Sequence, residues 1–258
     1  MSHHSIRKEL VSIGLGLSLL SFPGLPLRAQ DTLRAKPKWH QAKAFRTLAA
    51  PVLLAGYGLS AVGSHGFPYS SQDAYRDAKR HFPRFHTQVD DVAWALPVVA
   101  VYGLNATGIK GKHPWVDCSV LYFLSAGLAN GITLGLKEAT HRIRPDGSSD
   151  NSFPSGHTTN AFVAAEFLHQ EYKDQSPWYS VAGYSVAAAT GAMRILNQRH
   201  WLSDVFTGAG IGMLSTKAVY LVYPILQGKT GRASLRRMGL FPTYQSGRTG
   251  FYLVLVFS

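Results

Sequence analysis

The chain has 258 residues, enough for one substantial domain with a small appendage; 46% are hydrophobic and only 16% charged, where an average soluble domain has about a quarter charged. The charge is gathered in short segments between long apolar stretches, which argues against an ordinary soluble enzyme surface. The net charge of +12, from 26 basic and 14 acidic residues, suits an anionic lipid, a phosphorylated substrate or the basic flanks of membrane helices; no aromatic-interleaved nucleic-acid motif accompanies it, so no nucleic-acid partner is expected.

The amino terminus, residues 1–29, reads as an export signal or an uncleaved anchor. Arg7 and Lys8 precede an apolar run from Leu10 to Leu20, and Ala29 before Gln30 is a candidate cleavage point. Five stretches then lack Asp, Glu, Lys and Arg over nearly the length of a membrane span: Thr47 to Ser64, Val92 to Ile109, Cys118 to Leu136, Gln175 to Met193, and Val205 to Gly228, the last interrupted by Lys217. They predict membrane helices rich in small residues; the alternative is the buried helices of a soluble all-α protein. Cys118 is the single cysteine, so no intramolecular disulfide can form, and no Cys/His cluster has zinc spacing. The run His157 to Tyr172 is shorter and carries Glu166, His169 and Glu171, predicting an amphipathic helix that crosses buried among the others. At the tail, β-branched and aromatic residues from Phe251 to Phe257 follow a turn-like Ser246–Gly250, predicting a terminal β-hairpin.

Loop charge orients the helices. Arg34, Lys36, Lys38, Lys43 and Arg46 precede the first stretch, Lys110 and Lys112 join the second and third, and Lys229, Arg232, Arg236 and Arg237 follow the last. The positive-inside rule puts these groups in the cytoplasm, and the segments around Asp90–Asp91, Arg144–Phe153 and Arg199–Asp204 outside. A cleaved signal would leave Gln30 outside instead, which conflicts with this topology unless the signal is retained or the first stretch does not span. The division expected is 1–29 signal or anchor, 30–89 amino-terminal helical region, 90–228 core, and 229–258 basic tail.

Three clusters fall at the ends of apolar runs. Lys137 and Arg144-Pro145 close the third run; with Pro145 as the helix stop, both cations would share one helix face about 10 Å apart along the axis. Lysine brings a point charge and arginine a planar fork suited to phosphate oxygens. In Ser152-Phe-Pro-Ser155-Gly156-His157-Thr158 a turn enters a helix, whose first amides form an anion site, while His157 can move a proton near neutral pH. In Arg194 to Asp204, His200 and Asp204 are helix neighbours, so the carboxylate can fix the imidazole and free its other nitrogen for attack. Each cluster alone has an ordinary reading: a membrane boundary, a helix cap, a surface His–Asp pair. Together on one side of the chain they fit in-line phosphoryl transfer.

Lys-x6-Arg-Pro, Pro-Ser-Gly-His and Arg-x5-His-x3-Asp, in this order, resemble the signature of the type 2 phosphatidic acid phosphatase and vanadium haloperoxidase superfamily, over roughly Asp90 to Tyr223. The stretch Ser176 to Ser180, with Met193-Arg194 and His200 to Val205, is similar to the lipid A phosphatases of Bacteroides-type bacteria. The resemblance implies an all-α, membrane-associated bundle of five to six core helices, facing the periplasm from the cell envelope, that hydrolyses a lipid phosphomonoester without metal or cofactor. Lipid A is favoured; phosphatidic acid, phosphatidylglycerol phosphate and undecaprenyl diphosphate follow. It implies that His200 attacks phosphorus, Asp204 orients His200, His157 protonates the leaving oxygen, and Lys137, Arg144, Ser155, Gly156 and Arg194 bind phosphate. A soluble periplasmic acid phosphatase and a vanadate-dependent haloperoxidase are the alternatives. Met193 stands where the family usually has serine, which removes one hydroxyl. The sequence says nothing of oligomeric state.

Overall fold

A computed structural model describes residues 39–62, 69–227, 235–245 and 248–257, with side chains over 47–62 and 69–227. The expected signal or anchor lies outside the described residues, as do Arg34, Lys36, Lys38, Lys229 and Arg232. The chain divides into Met1–Lys43 and Ala44–Ser258, and the contacts below belong to the second unit.

Eight helices are described: α1 (Trp39–Ser60), α2 (Ser71–His81), α3 (Asp90–Ala93), α4 (Leu96–Ala106), α5 (Trp115–Thr140), α6 (Gly156–Tyr172), α7 (Pro177–Leu196) and α8 (Leu202–Leu226). All five charge-free stretches are helical over most of their length. The second is divided: α3 ends before Ala95, and Pro97 near the start of α4 favours a fresh helix beginning there. The tail forms the expected hairpin, in which β1 (Leu235–Gln245) pairs antiparallel with β2 (Arg248–Phe257), Leu240 opposite Leu253.

Helix α6 is the centre of the bundle and makes its largest interfaces with α7 and α8, then with α5 and α4. The sequence predicts it to be amphipathic, and this is corrected: both its apolar residues and its carboxylates are buried, Val163, Phe167 and Glu166 fully. No polar face is needed because the neighbouring helices supply partners. Glu166 accepts hydrogen bonds from Lys217 Nζ at 2.6 Å, Gln170 Nε2 at 2.6 Å and the Tyr184 hydroxyl at 2.5 Å. A buried carboxylate so paired locks α6 to α7 and α8, and removing one partner costs about 3–5 kcal/mol.

Close approach of α8 to α6 depends on glycine. A Cβ at Gly208 would lie 2.7 Å from the Ser155 carbonyl oxygen, and one at Gly212 2.5 Å from that of Thr159. Side chains there would push α8 away from the amino-terminal turn of α6, where two of the three motif clusters meet.

The outward faces are apolar. Along α5, Val116, Phe123 and Leu134 are 74%, 69% and 61% exposed, and Leu221 of α8 is 75% exposed. Helices α5 and α8 are long and apolar enough to cross a membrane; only 22% of the apolar window of α5 is buried within the protein. A soluble core helix would hide that surface, whereas lipid covers it without cost. The fold is therefore a membrane-associated helical bundle.

Consecutive helices α5 to α8 run antiparallel, so Lys137, Gly156, Arg194 and Asp204 come to one end. His113, Glu171, Tyr220 and Tyr223 gather at the other, with the basic loop containing Lys110 and Lys112.

Candidate active site

Helix α5 stops sooner than the sequence reading has it. Its last residue is Thr140, and His141 caps it in the left-handed conformation with φ 42°, before Pro145 is reached. Lys137 and Arg144 thus do not share a helix face, and that expectation is corrected. Arg144 lies instead on a folded loop, where its N–H donates to the Ser149 carbonyl at 3.0 Å and its Nη2 donates to Asn151 Oδ1 at 2.9 Å. Lys137 Nζ donates to the Asn151 carbonyl, so one residue holds both cations.

His200 sits between α7 and α8 and is 2% exposed. Its Nδ1 lies 2.8 Å from the Ser152 carbonyl oxygen, which can only accept, so Nδ1 carries the hydrogen and the neutral ring keeps a lone pair on Nε2. Asp204 Oδ2 is 3.6 Å from Nδ1, beyond hydrogen-bond range, and acts on the ring through its charge. The expected direct pair is thus a three-membered arrangement in which the backbone of Ser152 fixes the tautomer. Burial pushes the His200 pKa down to about 4, against the opposing pull of Asp204, so the ring is neutral at physiological pH.

Asp204 is itself firmly held. It accepts from Arg142 Nη1 at 2.8 Å, the Ser152 hydroxyl at 2.5 Å and the Trp201 amide at 2.9 Å. Arg142 also bonds the Ser203 hydroxyl at 2.6 Å and the Val62 carbonyl at 3.1 Å, tying α1, the loop and α8 together. Sequence reading singles out neither Arg142 nor Ser152. A third cation inside Lys137-x6-Arg144 and a serine two positions before Pro154 are the only signals available.

Ser155 caps α6: its hydroxyl oxygen accepts from the Thr158 amide and hydroxyl. Its own amide donates to the Asp204 carbonyl at 3.0 Å, which leaves the hydroxyl hydrogen as the group Ser155 can offer a ligand. The amides of Gly156 and His157 stand in the first turn of α6, where a helix offers them no partner of its own. A Cβ at Gly156 would meet no atom within 4 Å, so the helix start opens onto free space.

Arg194 lies in the last turn of α7 and is buried at 6% exposure. Its Nη1 pairs with Asp90 Oδ2 at 2.6 Å and reaches Asp91 Oδ1 at 3.3 Å. Asn197 fixes the segment bearing these carboxylates. Its amide side chain exchanges two bonds with the backbone of Thr87, at 3.1 and 2.9 Å, and donates to Asp90 Oδ1 at 3.1 Å. Asp91, Arg144, Arg194, Asn197 and Arg199 line a polar cavity of about 210 Å³. Lys137, Arg144, Arg194 and His200 are near enough for their charges to act on one another; burial, then Arg194, lowers the pKa of the Arg144 guanidinium. Among the described residues three buried side-chain polar atoms have no partner, and two are Arg144 Nε and Arg194 Nε. Buried guanidinium donors without acceptors are costly unless an anion completes them. All eight residues singled out from the sequence therefore lie at one end of the bundle, with Asp90, Asp91, Arg142, Ser152 and Asn197 supporting them.

Residues 119–227 match the PAP2 superfamily, and that segment includes all eight. A lipid A 1-phosphatase of Porphyromonas gingivalis is 43% identical over 143 residues, 55% of this chain; the chain spans 32% of the length of that relative. The fold is that of a transmembrane PAP2-type phosphatidylglycerolphosphate phosphatase from Bacillus subtilis, 19% identical, with a TM-score of 0.51 over 70% of this chain and 98% of that one. LpxE of Aquifex aeolicus is 20% identical, with a TM-score of 0.44 over 57% of this chain and 93% of that one.

Proposed function

We propose that the protein is a lipid phosphatase of the cell envelope that removes a phosphomonoester through a phosphohistidine, with its site facing the periplasm. The observation that carries this reading is His200: a neutral, buried imidazole with Nδ1 tied to a carbonyl, beside Arg144 and Arg194, whose buried Nε donors lack acceptors. Lys137, Arg144 and Arg194, with the Ser155 hydroxyl and the Gly156 amide, hold the three equatorial oxygens. Nε2 of His200 bonds to phosphorus as the ester P–O bond breaks, and the electron pair and a proton from His157 go to the leaving oxygen. Asp204 stabilises the positive charge that develops on His200. Water then attacks phosphorus, gives a proton to His157, and displaces His200 as the P–N bond breaks. Each oxygen and proton is accounted for by these residues and one water.

Lipid A is the favoured substrate, supported by the name of the 43% identical relative, and its 1-phosphate is the first position to test. The apolar belt keeps the site beside the bilayer, where such a substrate lies. The test is phosphate release by the purified chain in detergent from lipid A, phosphatidic acid and undecaprenyl diphosphate, beside His200→Ala. Wild-type release from lipid A and at least about 1000-fold less from the folded variant is expected. Comparable release from both proteins would remove His200 as the nucleophile, and preference for another lipid would replace the substrate.

A further inference from the structure

Asp91 makes a contact that the phosphate grip does not require. Its Oδ1 lies 3.0 Å from Nε2 of His157 and 3.3 Å from Nη1 of Arg194, so one carboxylate oxygen bridges the second histidine and a phosphate-binding arginine. Asp90 already pairs with Arg194 at 2.6 Å and is buried, while the Asp91 side chain is 53% exposed. The adjacent carboxylates thus divide two tasks: one is buried beneath the arginine, and the other stands half exposed at the cavity wall. Their segment is clamped by Asn197, so the placement of Asp91 is built into the fold.

Resting on the phosphatase reading above, we infer that Asp91 is a positioning residue for His157, holding its ring and stabilising its protonated form until the leaving oxygen arrives. The charged groups facing His157 are Asp91 and Asp90 from α3 and Arg194 from α7. Burial, then the Arg194 guanidinium, holds the His157 pKa below its ordinary value, and the carboxylates Asp91 and Asp90 oppose that loss of the proton. A general acid must carry its proton when substrate enters, and in the free enzyme Asp91 is the carboxylate in contact with the ring. Being half exposed, it can yield Nε2 to the leaving oxygen as that oxygen gathers charge, and retake the ring after product leaves.

Because the contact belongs to the free enzyme, its signature lies in the pH profile of kcat/KM. The test compares wild type, Asp91→Asn, Asp91→Glu and His157→Ala in detergent, using an aryl phosphate with a good leaving group and an alkyl phosphate with a poor one. Asp91→Asn should move the alkaline limb down by about one pH unit and lose roughly tenfold more activity on the alkyl than on the aryl ester, while Asp91→Glu recovers most of both. An unmoved limb with tighter inhibition by inorganic phosphate would make Asp91 a mere occupant of the phosphate site and overturn the inference. Equal losses on both esters in both Asp91 variants would overturn it in favour of a structural role. If wild type and His157→Ala share the same limb and leaving-group dependence, the assignment of His157 fails instead.

Discussion

Each end of the bundle places a histidine near a buried carboxylate, and the two sites have opposite character. At the far end, Glu171 accepts from His113 Nδ1 at 2.7 Å, from the His113 amide at 2.9 Å and from the Tyr220 hydroxyl at 2.6 Å. There the histidine and carboxylate bond directly and complete each other. At the site end, His200 is held by a backbone carbonyl, Asp204 is held by Arg142 and Ser152, and neighbouring guanidinium groups keep unpartnered donors. A satisfied pair is a staple for the loop entering α5. An arrangement whose ring nitrogen and cationic donors are left over is suited to an anion. The His–carboxylate pair is common to both ends, so the pair is not what marks a site.

This comparison can be broken most directly by removing each imidazole. His200→Ala should lose at least about 1000-fold in phosphate release with little change in thermal stability. His113→Ala should do the reverse, keeping kcat within about threefold and losing roughly 1–3 kcal/mol, because it leaves Glu171 oxygens short of a donor. Parallel kinetics and melting curves in one detergent check both. Large loss of turnover in the His113 variant would end the distinction between staple and site.

A smaller effect is expected from Arg194→Lys. The charge remains to pair with Asp90, but the planar fork and its unpartnered Nε are lost, so kcat/KM should fall about 100-fold with the fold intact. A Lys217→Met change would probe the opposite case, destabilising the bundle by leaving Glu166 under-paired while the phosphate groups stay whole; Arg194→Lys is informative because it spares stability.

Much of this difference could be read in the sequence, and the remainder has identifiable causes. Helix positions followed from uninterrupted apolar runs, and all eight motif residues gathered at one end because four antiparallel helices alternate between two faces. What periodicity could not give was the left-handed cap at His141, since helix propensity continues to Pro145 and only the φ of one residue redirects Arg144. Nor could it give the burial of every face of α6, because Glu166 and Glu171 look solvent-bound until Lys217, Tyr184, His113 and Tyr220 arrive from distant positions. The contacts of Asp90, Asp91 and Asn197 were hidden for the same reason: their partners are about a hundred residues away. Arg142 was hidden by its neighbours, as one cation among several marking a helix end.

The smallest effect concerns pH and stability, and it probes His200 by a property other than turnover. Burial lowers the His200 pKa to about 4, while the unfolded chain has the ordinary value of about 6.5. Between those values the unfolded chain takes up a proton that the folded chain refuses, so stability from this group is complete above about pH 6.5 and declines as pH falls toward 4. The full loss is roughly 3 kcal/mol by pH 4, and less than half of that has been lost by pH 5.5. His200→Gln cannot take up this proton in either state. Melting temperatures measured between pH 7.5 and pH 5 should therefore fall less steeply in His200→Gln than in wild type. Identical slopes would mean that the folded ring takes up the proton as readily as the unfolded chain, so that below about pH 6.5 it would have no lone pair with which to attack phosphorus.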